Sequence, residues 1–157
     1  MDNDNAALDL SALLLPVTGQ LLVVPTAVVA EIIKRRELHP PADAPDWLLG
    51  HVKWHQAAVP VLCYEALNGQ SVPEEDSGSR IVIIATLDAQ SGQRHYALLM
   101  RGVPNLLRLT PEDIHQVEGA VPGTAERMKV RVHGQIAAIP DLDYIEKRLF
   151  GLEGLAD

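Results

Sequence analysis

The side chains best suited by type to do chemistry fall between Glu31 and Cys63. His51 and His55 stand four apart, the spacing at which two imidazoles on one helical face share a metal ion. A structural zinc site needs four ligands and a catalytic one three plus water, and neither an acidic pair nor a second thiol lies beside these histidines. The flanking runs Leu48 to Val52 and Ala57 to Leu62 read as the two strands of a hairpin, which puts His51 on a strand and His55 at its turn. Cys63, the single cysteine, follows Val61-Leu62, in apolar surroundings that keep a thiol protonated and inert. The patterns GxSxG, HExxH, GxxxxGK[ST] and GxGxxG are absent, so nothing marks an assembled nucleophile or a phosphate cradle. The chain reads as non-enzymatic, with no catalytic residue, cofactor or metal. Glu31 and His55 invite a structural reading: a carboxylate and an imidazole that pair across the hairpin and hold its turn in register, the alternative being two unrelated surface groups.

The elements that must position these groups follow from composition. The chain has 157 residues, 47% hydrophobic but only 4% aromatic, so its interior is Val, Ile, Leu and Ala, which favours many short strands. Its formal charge of -8 argues against nucleic acid or an anionic membrane surface as partner, since both require clustered cations. Lys34-Arg35-Arg36 is the one basic cluster, and Glu37 follows at once. One cysteine excludes an internal disulfide, and no apolar run approaches the ~20 residues needed to span a bilayer. Met1 to Asn5 lacks the positive region of a secretory signal, so the expected location is the cytoplasm.

In chain order, residues 1–7 are expected to be a flexible lead-in, and Leu8 to Val17 and Leu21 to Val24 to form a hairpin across Thr18-Gly19-Gln20. Thr26 caps a short helix that becomes extended near Glu31 to Ile33. Three prolines among His39 to Pro45 make an irregular link over the surface. After the central hairpin, Cys63 to Leu67 suits one helical turn, and Gln70 to Arg80, with the acidic stretch Glu74 to Ser79 inside it, suits a mobile loop and a subdomain boundary. Strands are expected over Ile81 to Leu87, Arg94 to Met100 and Asn105 to Leu109, with a turn at Asp88 to Gln93. A short helix begins at Thr110, Met128 to Val132 and Gln135 to Ile139 make a last hairpin, and a helix from 141 to 150 stops at Gly151. Residues 152–157 are expected to be flexible. The short, evenly spaced strands predict a mostly β protein of small barrels.

Several stretches resemble the CheW family of adaptors in bacterial chemosensory arrays. They are Val29-Ala30-Glu31-Ile32, the link around Pro45, the segment from Gly50 through Pro60 to Tyr64, Leu98 to Val103 with Leu107-Arg108-Leu109, and Gly134 to Leu142. The resemblance covers about Leu13 to Phe150. It departs from the family pattern at Lys53, His55, Gln56, Cys63 and Arg101, as in a divergent member such as the adaptors of type IV pilus chemosensory systems. In the family the glutamate pairs with an arginine, so Glu31 with His55 keeps opposite charge only when the imidazole is protonated. Gln56 stands where the family has a turn glycine, which predicts a remodelled turn.

The resemblance implies a CheW-like fold of two SH3-like five-stranded β-barrel subdomains with short helices, over residues 8–150. The first barrel is expected mainly within 17–70 and the second within 80–139. It also implies a scaffold that couples the cytoplasmic tip of a methyl-accepting chemoreceptor to the regulatory domain of a CheA-type histidine kinase. Val29, Glu31, Gly50, His55 and Gly102 occupy positions of the family's receptor-binding motif and are expected to line a groove between the barrels. A kinase-binding scaffold without receptor coupling, or a small cytosolic enzyme, are the other readings.

Overall fold

In the computed structural model, which describes residues 10–74, 78–87 and 94–156, the strands follow in chain order as β1 (Leu10–Val17), β2 (Gln20–Pro25), β3 (Val29–Lys34), β4 (Leu48–Trp54) and β5 (Ala57–Leu62). A helix of one turn, α1 (Tyr64–Leu67), precedes β6 (Arg80–Ala85), β7 (His95–Met100), β8 (Asn105–Leu109) and β9 (Ile114–Gln116). The hairpin β10 (Glu126–Val132) and β11 (Gln135–Pro140) leads into α2 (Leu142–Ala156). The expected lead-in over 1–7, Glu75-Asp76-Ser77 of the acidic loop and the turn at Asp88 to Gln93 lie outside the described residues.

The expected mostly β architecture is what the chain adopts, in two sheets. One has six strands in the order β8-β1-β2-β11-β10-β9, and the other five in the order β3-β6-β7-β5-β4. Each contains one parallel pairing between strands distant in sequence, Leu22 with Ala138 and Val61 with Ala97. The strands do not divide at the acidic loop into 17–70 and 80–139. The five-stranded sheet takes β6 and β7 from the second half of the chain, and the six-stranded sheet takes β1 and β2 from the first.

Alternation explains this. Along β6, Val82 and Ile84 face one cluster of buried residues while Ile81 and Ile83 face another, and β7 repeats the pattern with Tyr96, Leu98 and Met100 against Ala97 and Leu99. On β1, Leu13, Leu15 and Val17 join the same cluster as Val82 and Leu98, whereas Ala12 and Leu14 enter a separate one inside the six-stranded sheet. A strand with apolar residues on both faces is therefore buried twice, once in its own barrel and once between the sheets. Ile145 and Leu149 of α2 seal the shared core.

Local preferences account for three further departures. The helix expected at Thr26 is a single 3-10 turn, Thr26 to Val28, because the β-branched residues from Val29 onward suit a pleated surface better than a helix. At Thr110 the Asp113 carboxylate accepts from both the Thr110 amide and hydroxyl, at 2.8 and 3.1 Å, yet the helix lasts one turn before Ile114-His115-Gln116 pairs with β10. Gly151 does not end α2, which continues to Ala156, because a glycine inside a helix costs only about 1 kcal/mol.

Leu98 is fully buried in the shared core. Leu98→Ala is expected to destabilise the protein by about 2–5 kcal/mol in urea, with circular dichroism and tryptophan fluorescence reporting one coincident transition. Two separated transitions would show that the sheets do not depend on a common core.

Candidate functional site

Strands β3 and β4 are the two edges of the five-stranded sheet, yet their side chains meet. The indole Nε1 of Trp54 donates to Glu31 Oε1 at 2.9 Å, and Arg36 Nη1 donates to the Lys53 carbonyl at 2.6 Å. Side chains thus join the edges where no main-chain ladder pairs them, and they cover polar groups that an open edge would present to another chain. His55 Nε2 lies 3.7 Å from the same Glu31 oxygen, so the expected pair does come together. The direct hydrogen bond, however, goes to Trp54, which sequence reasoning missed. An indole at the last strand position before a turn was the available signal. Its ring also meets His55 and His95 edge-on, at centroid distances of 4.3 and 4.7 Å.

The turn itself is not remodelled. His55 and Gln56 have φ of +48° and +68°, and Trp54 pairs with Ala57, which describes a two-residue hairpin turn with both central residues left-handed. Neither side chain favours that region, where a non-glycine residue costs roughly 1–2 kcal/mol. Glu31 and Trp54 therefore hold a turn that the local sequence does not prefer.

The other three expected positions are not gathered around this cluster. Gly50 is buried with φ +148° at a bulge in β4, and a Cβ there would stand 2.8 Å from the His39 backbone nitrogen. The room left by the missing side chain, expected to admit a partner's helix, is filled by the chain's own proline-rich link. Gly102 is packed less tightly: it is half-buried, and a Cβ there would come to 3.3 Å from Pro16 Cγ, a contact that a small shift relieves. Val29 follows Thr26, whose hydroxyl donates to the Ser11 carbonyl, and it packs half-buried on the shared core. Ser11 and Pro16 lie near opposite ends of β1, five residues or about 16 Å apart, so Val29 and Gly102 do not share one patch.

A second polar system, unforeseen in the sequence, ties the sheets together through α1. Glu65 is 1% exposed, and its Oε2 accepts from the Thr18 amide at 2.9 Å and from Arg101 Nε at 3.2 Å. Burial alone pushes this carboxyl up, but the Thr18 amide, its own backbone N–H and then Arg101 outweigh that and hold it below its usual range. Arg101, a departure from the acidic family position, thus has a buried partner. Glu126, at the start of β10, accepts from Gly123 N, Asn68 Nδ2, Gln20 Nε2 and Lys129 Nζ, and Asn68 Oδ1 accepts from Ala125 N. Burial opposes ionisation of Glu126, and these donors override it, bringing its pKa down to about 2. Burial pushes the Cys63 thiol up to about 11, as its apolar setting suggested. Glu146 of α2, also buried, accepts from Leu87 N and Tyr96 OH.

Among the described residues, no three His, Cys, Asp or Glu side chains converge as metal ligands, and no helix is long and apolar enough to cross a membrane. A family model described as CheW-like domain matches residues 11–149. Among solved structures, the crystal structure of the scaffolding protein TtCheW from Thermoanaerobacter tengcongensis is similar to this chain, with a TM-score of 0.70 over 85% of this chain and 84% of that one. Sequence identity is 15%, so that likeness concerns the fold. No curated protein sequence matches the chain.

The acid limb of stability follows from Glu126. Its folded pKa of about 2 lies below the ordinary 4.5, so its contribution is fully present above pH 4.5 and is lost as pH falls towards 2. Glu126→Gln is expected to reduce the stability difference between pH 6 and pH 3 in urea unfolding. A variant with the full wild-type difference would remove Glu126 from the account.

Proposed function

The chain belongs to the CheW-like domain family, and from that premise we propose that it is a non-catalytic cytoplasmic scaffold of bacterial chemosensory signalling. It couples the cytoplasmic tip of a methyl-accepting chemoreceptor to the regulatory domain of a CheA-type histidine kinase. The observation that carries the proposal is the family match over residues 11–149, which spans both sheets. The departures at Lys53, His55 and Gln56 are the reason to favour a divergent setting, such as a type IV pilus chemosensory system that drives twitching motility.

Different surfaces suit the two partners. Receptor binding falls to the exposed face around Glu31, Trp54 and His55, where a carboxylate and aromatic rings are presented together. Kinase docking falls to β8, an edge strand of the six-stranded sheet, where Leu106 and the preceding Val103 are 69% and 68% exposed. Gly50 and Gly102 act in both cases through internal packing.

One observation favours the kinase-only scaffold as a second reading: the two glycines that would open a receptor groove are taken up by His39 and Pro16. The readings separate on binding. Under the coupling proposal, wild type binds a receptor cytoplasmic fragment and a kinase regulatory domain. Glu31→Lys then weakens the receptor alone, and Leu106→Glu the kinase alone, each by about tenfold or more when measured well below the melting transition of the variant. Kinase binding with no receptor binding supports the second reading, and binding of neither rejects both.

A further inference from the structure

The proline-rich link does not lie flat on the surface. With the Val72-Pro73 segment it encloses a cleft of about 350 Å³, at the lower end of the volumes that hold small ligands, about 300–1,000 Å³. Leu48, Leu49 and Leu99 give the cleft an apolar lining. Pro40, Pro41, Pro45 and Pro73 also line it, and they have no N–H, so an extended peptide laid there would find few main-chain donors.

One cation enters this lining. Arg101 is only 10% exposed, and its Nε is committed to Glu65 at 3.2 Å, which fixes the plane of the guanidinium. Its two terminal nitrogens have no acceptor among the described residues. A guanidinium held in this way presents a fork of donors matched to a carboxylate. Asp43 and Asp46, exposed members of the same lining, set a negative rim that disfavours a second charge on the ligand.

We propose that this cleft binds a small monocarboxylate, its carboxylate on the terminal nitrogens of Arg101 and its aliphatic or aryl body against Leu48, Leu49 and Leu99. Because Arg101 also holds Glu65, and Glu65 holds the Thr18 amide, occupancy draws on the same joint that connects the sheets. Ligand and fold stability are then linked, and melting temperature rises with ligand concentration. The proposal requires neither receptor nor kinase and is tested on the isolated chain.

The probes are hexanoate, its neutral amide hexanamide and the dianion adipate, titrated into the full chain and followed by methyl NMR. Hexanoate is expected to shift the methyls of Leu48, Leu49 and Leu99 saturably in the millimolar range, with hexanamide and adipate each about tenfold weaker. Val72→Trp fills the cleft from a position 42% exposed, leaves the Arg101–Glu65 pair intact, and is expected to abolish the shifts without changing the melting temperature. Arg101→Lys, which keeps a charge for Glu65 but loses the fork, is expected to weaken hexanoate and leave hexanamide unaffected. Absence of saturable shifts, equal binding of hexanoate and hexanamide, or undiminished binding to Val72→Trp would overturn the proposal. So would a leucine-terminated peptide that binds the same methyls more than about tenfold tighter than hexanoate, which would assign the cleft to a protein tail.

Discussion

The arrangement of the molecule depends on two carboxylates taken out of water at either end of a four-residue helix. Glu65 within α1 reaches the β1–β2 turn and Arg101 after β7, while Asn68 at the C-terminus of α1 meets Glu126 and the segment leading into β10. Tyr64 adds a third tie, its hydroxyl donating to the Ala125 carbonyl at 2.9 Å. An ionised carboxyl buried without partners would cost several kcal/mol, so each site is stable only while all its donors stay in place. The donors come from both sheets. Geometry between the sheets is therefore fixed by hydrogen bonds with direction, on top of an apolar core that has none.

That division of labour accounts for what the sequence could and could not disclose. Alternation and turn residues located nearly every strand, because strands such as β1 and β10 carry their pattern locally. Sheet membership was hidden, since pairing Val61 with Ala97 or Leu22 with Ala138 joins positions far apart in sequence with no local mark. Glu65 stood only as one residue of an expected helical turn, and Arg101 as a departure from pattern. Only their meeting across 36 residues shows a buried pair. The strand β9 was missed because the cap at Thr110 is real but governs a single turn.

The candidate surface was legible in part for the same reason. Glu31 and His55 were read as a pair, and the fold does bring them to one place, but through Trp54, whose indole makes the stronger contact. Gly50 and Gly102 were read as room for a partner, whereas a glycine in sequence shows only that room exists and not which chain fills it. The exposed cluster that remains combines a strained turn, a carboxylate and two aromatic contacts. A scaffold needs such a surface to be rigid before its partner arrives, since ordering it on binding would subtract from affinity.

A scaffold is defined by holding two partners at once, which separate affinities do not establish. The direct measurement is co-sedimentation of a receptor cytoplasmic fragment with a kinase regulatory domain, in the absence and presence of this chain. The account predicts that the two travel together only when the chain is present, in a complex that contains all three. Competition, in which either partner displaces the other from the chain, would contradict it.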